Sequence, residues 1–362
     1  MINMSLTMSN KLKICLNNPI WLSSLDQDSY LGLRDVFGIK FCDYIFFSSY
    51  KIFLKWLIQS DPKFILNILK NKKILFSTDS VNQLCDVFLT MNNPSYDELN
   101  FNKDINIFKI NALYDYNFHP RQIKDGLLTS SVDYLIGHNR HDMHDPFFQY
   151  FFEEYKEKVI VCPFGYSQNK IKKYINNSKI YTLNVLGAIA PIDISRVGKN
   201  NELKEYQEFM TSINRSFSHE YRNWFRNNLR HFPDKYKIIL PSGKINRLEE
   251  VNEQEIISKS FFTHIDTGSL NFLPARTYEA LALKSMLFGG NKSLYKETNI
   301  PSWAYLELDD IENMNHSKIQ ERLEEASHNF NSYDDRLESI KDNFSFQNLS
   351  IKLYEDIKSL LK

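Results

Sequence analysis

The sequence predicts an α/β protein of two doubly wound, Rossmann-like parallel-sheet domains facing each other across a cleft. Three observations predict it. Short apolar runs alternate with segments of helical period, the pattern of β–α–β units. That pattern starts afresh near residue 179. The chain has 362 residues, a length that suits two domains of ordinary size.

In the first half the candidate strands cover 12–18, 42–49, 72–80, 105–115, 132–139 and 158–165, six in all. Helical stretches such as "YKIFLKWLIQ" and "DPFFQYFFEEYKEK" separate them. The second half opens with the strand 179–190, which ends around Gly187, and continues with one long helix over roughly 202–231. Strands follow at 235–243 and 261–268, then a helix from Pro274, a strand at 285–290 and a short strand near 304–308. The tail is helical by period and by its Glu/Lys pairing. The expected division is an N-terminal domain over 1–168, a C-terminal domain over 169–345 and a final helix over 346–362 that can pack back on the first domain. No internal repeat or low-complexity linker interrupts the chain.

Composition excludes several classes. Lys plus Arg and Asp plus Glu both number 44, and the pI is about 7.1, which argues against a dedicated polyanion binder. Cys15, Cys42, Cys85 and Cys162 are widely spaced with no CxxC, so they read as buried apolar residues in a reducing compartment. The start "MINMSLTMSNKLKICLNNP" has no basic-then-apolar signal pattern, and no apolar run is long enough to span a bilayer. The expectation is a soluble, cytoplasmic protein with no transmembrane segment.

In an open parallel sheet, ligands bind beyond the carboxyl ends of the strands. In the second half the polar and small residues at those ends are Gly187 and Arg196, Ser242, Gly243 and Lys244, Thr267 and Gly268, and Arg276 and Glu279. Arg276 falls in the first turn of a helix, where the dipole disfavours a cation unless an anion is near. Helix N-termini are ready phosphate sites, and a guanidinium grips phosphate oxygens in pairs. Glu279 would repel phosphate but can accept both hydroxyls of a ribose. By spacing alone, Arg276 and Glu279 are an ordinary i,i+3 pair on a helix surface. Their place after a strand and a Gly-containing loop, at the start of a core helix, points instead to a nucleotide diphosphate.

The segment "LPARTYEALALKSMLFGG" resembles the corresponding stretch of GT-B glycosyltransferases of the CgeB-like and group 1 kinds, and is similar to that of bacteriophage DNA β-glucosyltransferase. The resemblance implies contacts of Arg276 with donor phosphates and of Glu279 with ribose. "NVLGAIAPIDISR" resembles the first strand and following arginine of the same domain, implying phosphate contacts near Gly187 and Arg196. "SGKI" resembles the base-reading loop, which implies Ile245 beside the nucleobase, next to Lys244. A nucleotide-sugar donor, a UDP-sugar foremost, is implied, with no metal or other cofactor required. The E-x7-E signature of many retaining members needs an acid where this chain has Asn271, so an inverting transfer fits better.

Inverting transfer needs a general base from the first domain. "ALYDYNFHP" resembles the strand-end aspartate region of the phage enzyme and implies Asp115; "LFSTDS" resembles it nearly as well and keeps Asp79 in view. Either aspartate could equally cap a helix. The run "GHNRHDMHDP" spaces His138, His141 and His144 at i, i+3 and i+6, a poor helical metal pattern, and reads as a polar loop facing the cleft. His138, His119 and Arg121 are candidate acceptor contacts. Arg222, Arg226 and Arg230 repeat at i+4 on the long helix that also carries Arg215. Such a stripe is a solvated face, or a phosphate-backbone contact if the acceptor is DNA.

The leading expectation is a glycosyltransferase moving sugar from a nucleotide donor to a glycan acceptor. The alternatives are a phage-type enzyme acting on modified bases in DNA and an inactive GT-B scaffold that binds nucleotide. A periplasmic-type binding protein is disfavoured by the missing signal pattern.

Overall fold

The computed structural model describes residues 11–17, 29–91, 103–113, 120–138, 140, 145–187, 204–213, 219–240, 252–267 and 273–362. The first sheet has seven strands: β1 (Ile14–Asn17), β2 (Tyr44–Phe46), β3 (Lys73–Leu75), β4 (Val87–Thr90), β5 (Phe108–Ala112), β6 (Tyr134–Gly137) and β7 (Val159–Val161). Their order is β3-β2-β1-β4-β5-β6-β7, and every pairing is parallel. The second sheet contains β8 (Tyr181–Leu186), β9 (Tyr236–Ile239), β10 (Ser260–Ile265), β11 (Met286–Gly289) and β12 (Tyr305–Leu306), in the order β12-β11-β10-β8-β9, again all parallel. All four cysteines are free and buried.

Two expectations about the first sheet need correction. It has seven strands rather than six. The additional strand, β4, sits at the centre and is buried along its whole length. The segment expected as a strand over 72–80 divides: β3 ends at Leu75, and α4 (Thr78–Leu84) begins after its N-cap Ser77, whose hydroxyl accepts from the Ser80 N–H. Ahead of them lie α1 (Ser29–Phe41), α2 (Tyr50–Gln59) and α3 (Pro62–Asn71). α3 follows capping rules closely. Asp61 accepts from Lys63 and Phe64, Pro62 occupies the first turn, and Phe64, Ile65 and Ile68 form the buried stripe. After β5 come α5 (Pro120–Thr129), α6 (Pro146–Phe151) and α7 (Gln168–Lys172).

The helix expected over 202–231 is not one helix. α8 (Lys204–Ser212) buries Met210 in an aromatic cluster with Phe147, Phe148 and Phe151 of the first domain. α9 (Glu220–Asn227) buries Phe225 in the core of the second. The chain therefore visits the first domain between β8 and α9. An ion pair of 3.0 Å between Arg121 and Glu205 joins α5 to α8. The remaining helices are α10 (Glu253–Ser258), α11 (Ala275–Ala282), α12 (Lys292–Glu297), α13 (His316–His328), α14 (Asn331–Lys341) and α15 (Phe346–Leu360).

α15 returns to the first domain, where Phe346, Leu349, Leu353 and Ile357 join the core beneath β1, β4 and β5. The outgoing and returning chains are bonded to each other where they cross. Tyr166 donates to the Phe344 carbonyl at 3.0 Å, and Phe346 donates back to Tyr166 at 3.1 Å. Gly165 makes this close approach with φ +66°; a Cβ there would lie 2.7 Å from the Phe344 carbonyl oxygen and against Leu349. Gly165→Ala therefore combines a left-handed backbone with a clash against main chain. It is expected to lower unfolding free energy by about 2 kcal/mol or more in urea titration. An unchanged midpoint would mean the crossing gives way freely.

Candidate functional site

The second domain gathers its polar side chains at the carboxyl end of β8. Gly187 follows that strand at φ +121°, a conformation suited to glycine. A Cβ on Gly187 would stand 3.1 Å from Nη1 of Arg222 and 3.1 Å from Nη1 of Arg276. Two guanidinium groups thus converge on one bare stretch of backbone.

Arg276 lies in the first turn of α11. Its Nη1 donates to the Leu186 carbonyl at 2.6 Å, and its Nη2 donates to the Glu253 carboxylate at 2.8 Å. Glu253 stands in the first turn of α10 behind the N-cap Asn252. The anion that the helix dipole calls for is, in this structure, a carboxylate borrowed from a neighbouring helix. Arg276 has five N–H donors; its Nε is buried with no partner among the described residues. The side chain holds hydrogen-bonding capacity in reserve.

Arg222 projects from α9. Its Nε lies 3.4 Å from Oδ2 of Asp266, and Nδ1 of His219 lies 3.3 Å from the same oxygen. Burial draws the Arg222 pKa down to about 10, with Arg276 adding to the effect and Asp266 opposing it. Burial works against the Asp266 charge, but His219 and Arg222 outweigh it and hold the carboxyl well below its ordinary range. Asp266 follows β10 directly, and Thr267 is the next residue, half-buried. Glu279, on α11, is 8% exposed and accepts from Gln254 at 3.1 Å.

The structure therefore brings together Gly187, Thr267, Arg276 and Glu279 of the expected residues. It places two others elsewhere. Asp79 is exposed in the first turn of α4, beside the edge strand β3. His138 is buried at the end of β6, stacked on Phe164 with ring centroids 3.4 Å apart. Asp115, His119, Arg196, Lys244, Ile245 and Gly268 lie outside the described residues. Sequence reasoning missed Asp266, His219, Glu253 and Gln254, and it put Arg222 on a solvent stripe. Arg226 and Arg230 are exposed as expected of such a stripe, but Arg222 turns inward to Asp266. The one available signal was Asp266 itself, an acid immediately before Thr267 and Gly268 at a strand end.

Among the described residues, no group of three or more His, Cys, Asp or Glu is placed to hold a metal ion. Nor is any helix among them long and apolar enough to cross a membrane.

No protein-family model matches the chain, and no curated protein matches it by sequence. Solved structures do match it in three dimensions. Anabaena HepE (Alr3699) in complex with UDP and glucose aligns with a TM-score of 0.53 at 10% identity, covering 96% of this chain and 100% of that one. The complex of the same protein with UDP aligns at 0.52 and 10%, with the same coverage. Its complex with UDP-glucose aligns at 0.50 and 9%, again over 96% and 100%. At this identity the likeness is one of fold: two Rossmann-like domains arranged as in GT-B proteins.

His264 lies on β10 two residues before Asp266, fully enclosed, with Nδ1 3.1 Å from the Phe288 carbonyl. Burial is the main cause that lowers its pKa to about 4, against the opposing pull of Asp266. The folded state thus excludes a proton that the unfolded chain accepts below about pH 6.5. Stability from this group is complete above that pH and is lost as pH falls towards 4. The loss should be about 3 kcal/mol. Denaturant titrations between pH 7 and 4 should show it in the parent, with a shallower fall in His264→Phe; equal slopes would count against it.

Proposed function

We propose that the protein is a glycosyltransferase that moves a sugar from a nucleoside-diphosphate sugar, a UDP-sugar foremost, to a glycan acceptor, with inversion and without a metal. One observation carries the reading: Arg222 and Arg276 converge on positive-φ Gly187 at the carboxyl end of β8, an interior strand of the second sheet. Paired guanidinium groups, a backbone without a Cβ and a helix N-terminus suit a diphosphate. Glu279, held by Gln254 one turn further along α11, suits the two ribose hydroxyls. The GT-B architecture adds support, and HepE is a protein of this fold crystallised with UDP and UDP-glucose.

In this reading Asp115, three residues after the end of β5, takes the proton from the acceptor hydroxyl. The acceptor oxygen attacks the anomeric carbon, the bond to the diphosphate breaks, and negative charge gathers on the departing oxygen. Arg222, Arg276 and the α11 N-terminus stabilise that charge. Arg196, Lys244, Ile245, Thr267 and Gly268 complete the proposed donor site, and His119 and His138 are its proposed acceptor contacts. A glycan acceptor is preferred to DNA because the inward turn of Arg222 removes one cation from the exposed stripe.

Thermal unfolding with a panel of nucleoside diphosphates and nucleotide sugars tests the donor site. Saturation at about a hundred times Kd adds roughly 2.7 kcal/mol and raises Tm by several degrees. Both Arg222→Ala and Arg276→Ala should abolish the shift while remaining folded. No shift from any nucleotide at millimolar concentration would defeat the proposal. Asp115→Asn should keep the nucleotide-induced shift and lose about 10²–10⁴ in kcat, whereas Asp79→Asn should lose neither. The reverse pattern would transfer the base to Asp79.

A further inference from the structure

The helices α2 and α3, between β2 and β3, carry an exposed surface that the donor site does not use. Of the large hydrophobic side chains exposed among the described residues, Tyr50, Leu54, Ile58, Leu66, Leu69 and Phe76 all belong to this one region, with Ile58 83% exposed and Leu66 68%. On α2, Tyr50, Leu54 and Ile58 recur at i, i+4 and i+8, so they form a stripe on the outward face. The inward side of the same helix is already satisfied: Trp56 is buried and contacts Phe47, Phe53 and Phe64. α2 is therefore apolar on both sides, which a helix with only one buried face does not require.

Charge is equally uneven here. Residues 50–76 contain six lysines, at 51, 55, 63, 70, 72 and 73, and one acid, Asp61. Asp61 is committed to capping α3, where its carboxylate accepts from Lys63 and Phe64. Lys51, Lys55, Lys63 and Lys70 are exposed and flank the apolar stripe. A segment of net charge +5 in a chain whose total is zero is a local feature that the whole-chain balance conceals.

We propose that this face docks on an anionic lipid surface. Lysines ringing exposed aliphatic and aromatic side chains fit an interface in which apolar tips enter the acyl boundary and ammonium groups remain at the headgroups. Two copies placed face to face would oppose lysine to lysine. The acidic stretch 307–338 of another copy matches the charge, yet among the described side chains none of the exposed large hydrophobics falls within it, so these offer no apolar cover for Ile58 and Leu66. Nucleic acid matches the charge as well but leaves the aliphatic stripe in water.

Flotation of the full-length protein with vesicles tests this directly. One set is phosphatidylcholine alone and the other an equimolar mixture with phosphatidylglycerol. The protein should float with the mixed vesicles, remain behind with the neutral ones, and dissociate as salt rises. Lys51→Glu/Lys55→Glu and Ile58→Ser/Leu66→Ser should each lower partitioning by about tenfold or more. All of these side chains are exposed, and unchanged melting curves would verify that the variants fold. Equal binding to both vesicle types, binding to neither, or indifference to both double variants would overturn the proposal. So would dimerisation without vesicles that the same substitutions abolish. Since neither variant touches the donor site, nucleotide-induced stabilisation should survive in both, which separates failure here from failure of the donor assignment.

Discussion

Parallel pairing is the constraint on which the rest of the molecule depends. Every strand pair within both sheets runs in the same direction, so every strand of a domain delivers its carboxyl end to one edge. The backbone then has no choice about where its loops gather. Gly187 after β8 and Asp266 after β10 are neighbours because those strands are hydrogen-bonded in register, with Thr263 opposite Asn184. α9 and α11, returning over the sheet, bring Arg222 and Arg276 to the same edge. Nothing in the individual side chains dictates this meeting. It is a consequence of how two strands pair and of the crossovers that parallel pairing demands.

Once two guanidinium groups meet in a partly buried place, electrostatics limits what can surround them. Charges removed from water need partners, and losing one partner of a buried pair is more costly than lacking the pair altogether. Asp266 and Glu253 meet that need, one for each arginine. This has a chemical consequence for the proposed donor site. A diphosphate entering beside Gly187 meets cations already neutralised, so its affinity reflects an exchange of partners rather than the full attraction of bare charges. The unpartnered Nε of Arg276 then matters more than its formal charge. It is a buried donor that no carboxylate among the described residues engages, on a side chain already fixed by Leu186 and Glu253.

Much of the architecture was legible because both sheets use short, nearly continuous apolar runs separated by helical patterns. The second sheet was read with all five of its strands. In the first, β4 escaped because "VFLT" follows α4 without a turn signal, and the strand expected over 72–80 had already taken in the first residues of α4. The expected helix over 202–231 failed for a different reason: apolar periodicity marks a buried face but does not identify the domain that buries it. Met210 and Phe225 belong to different cores. The same ignorance of surroundings misplaced Arg222. Arg222 and Arg226 share an i,i+4 face, yet the first meets Asp266 while the second is exposed. Glu253, the partner of Arg276 from 23 residues earlier in the chain, left no local trace at all.

The zero net charge is the least informative number in the sequence, because it averages over local segments of opposite sign. Residues 50–73, on the first domain, carry six lysines and one aspartate. Residues 307–338, on the second, carry ten acids against Lys318, Arg322 and Arg336. Opposed patches of that size give the molecule a direction in any electric field, whatever its total charge. Near an anionic surface the first attracts and the second is repelled, and both effects act over a Debye length of about 8 Å. The surface would therefore select the orientation that presents α2 and α3 before any apolar contact forms. Apolar side chains then hold what the charges have turned. An evenly charged chain with the same exposed Ile58 and Leu66 would lack that steering, so segregation of charge, rather than its amount, is the property that makes the apolar stripe usable.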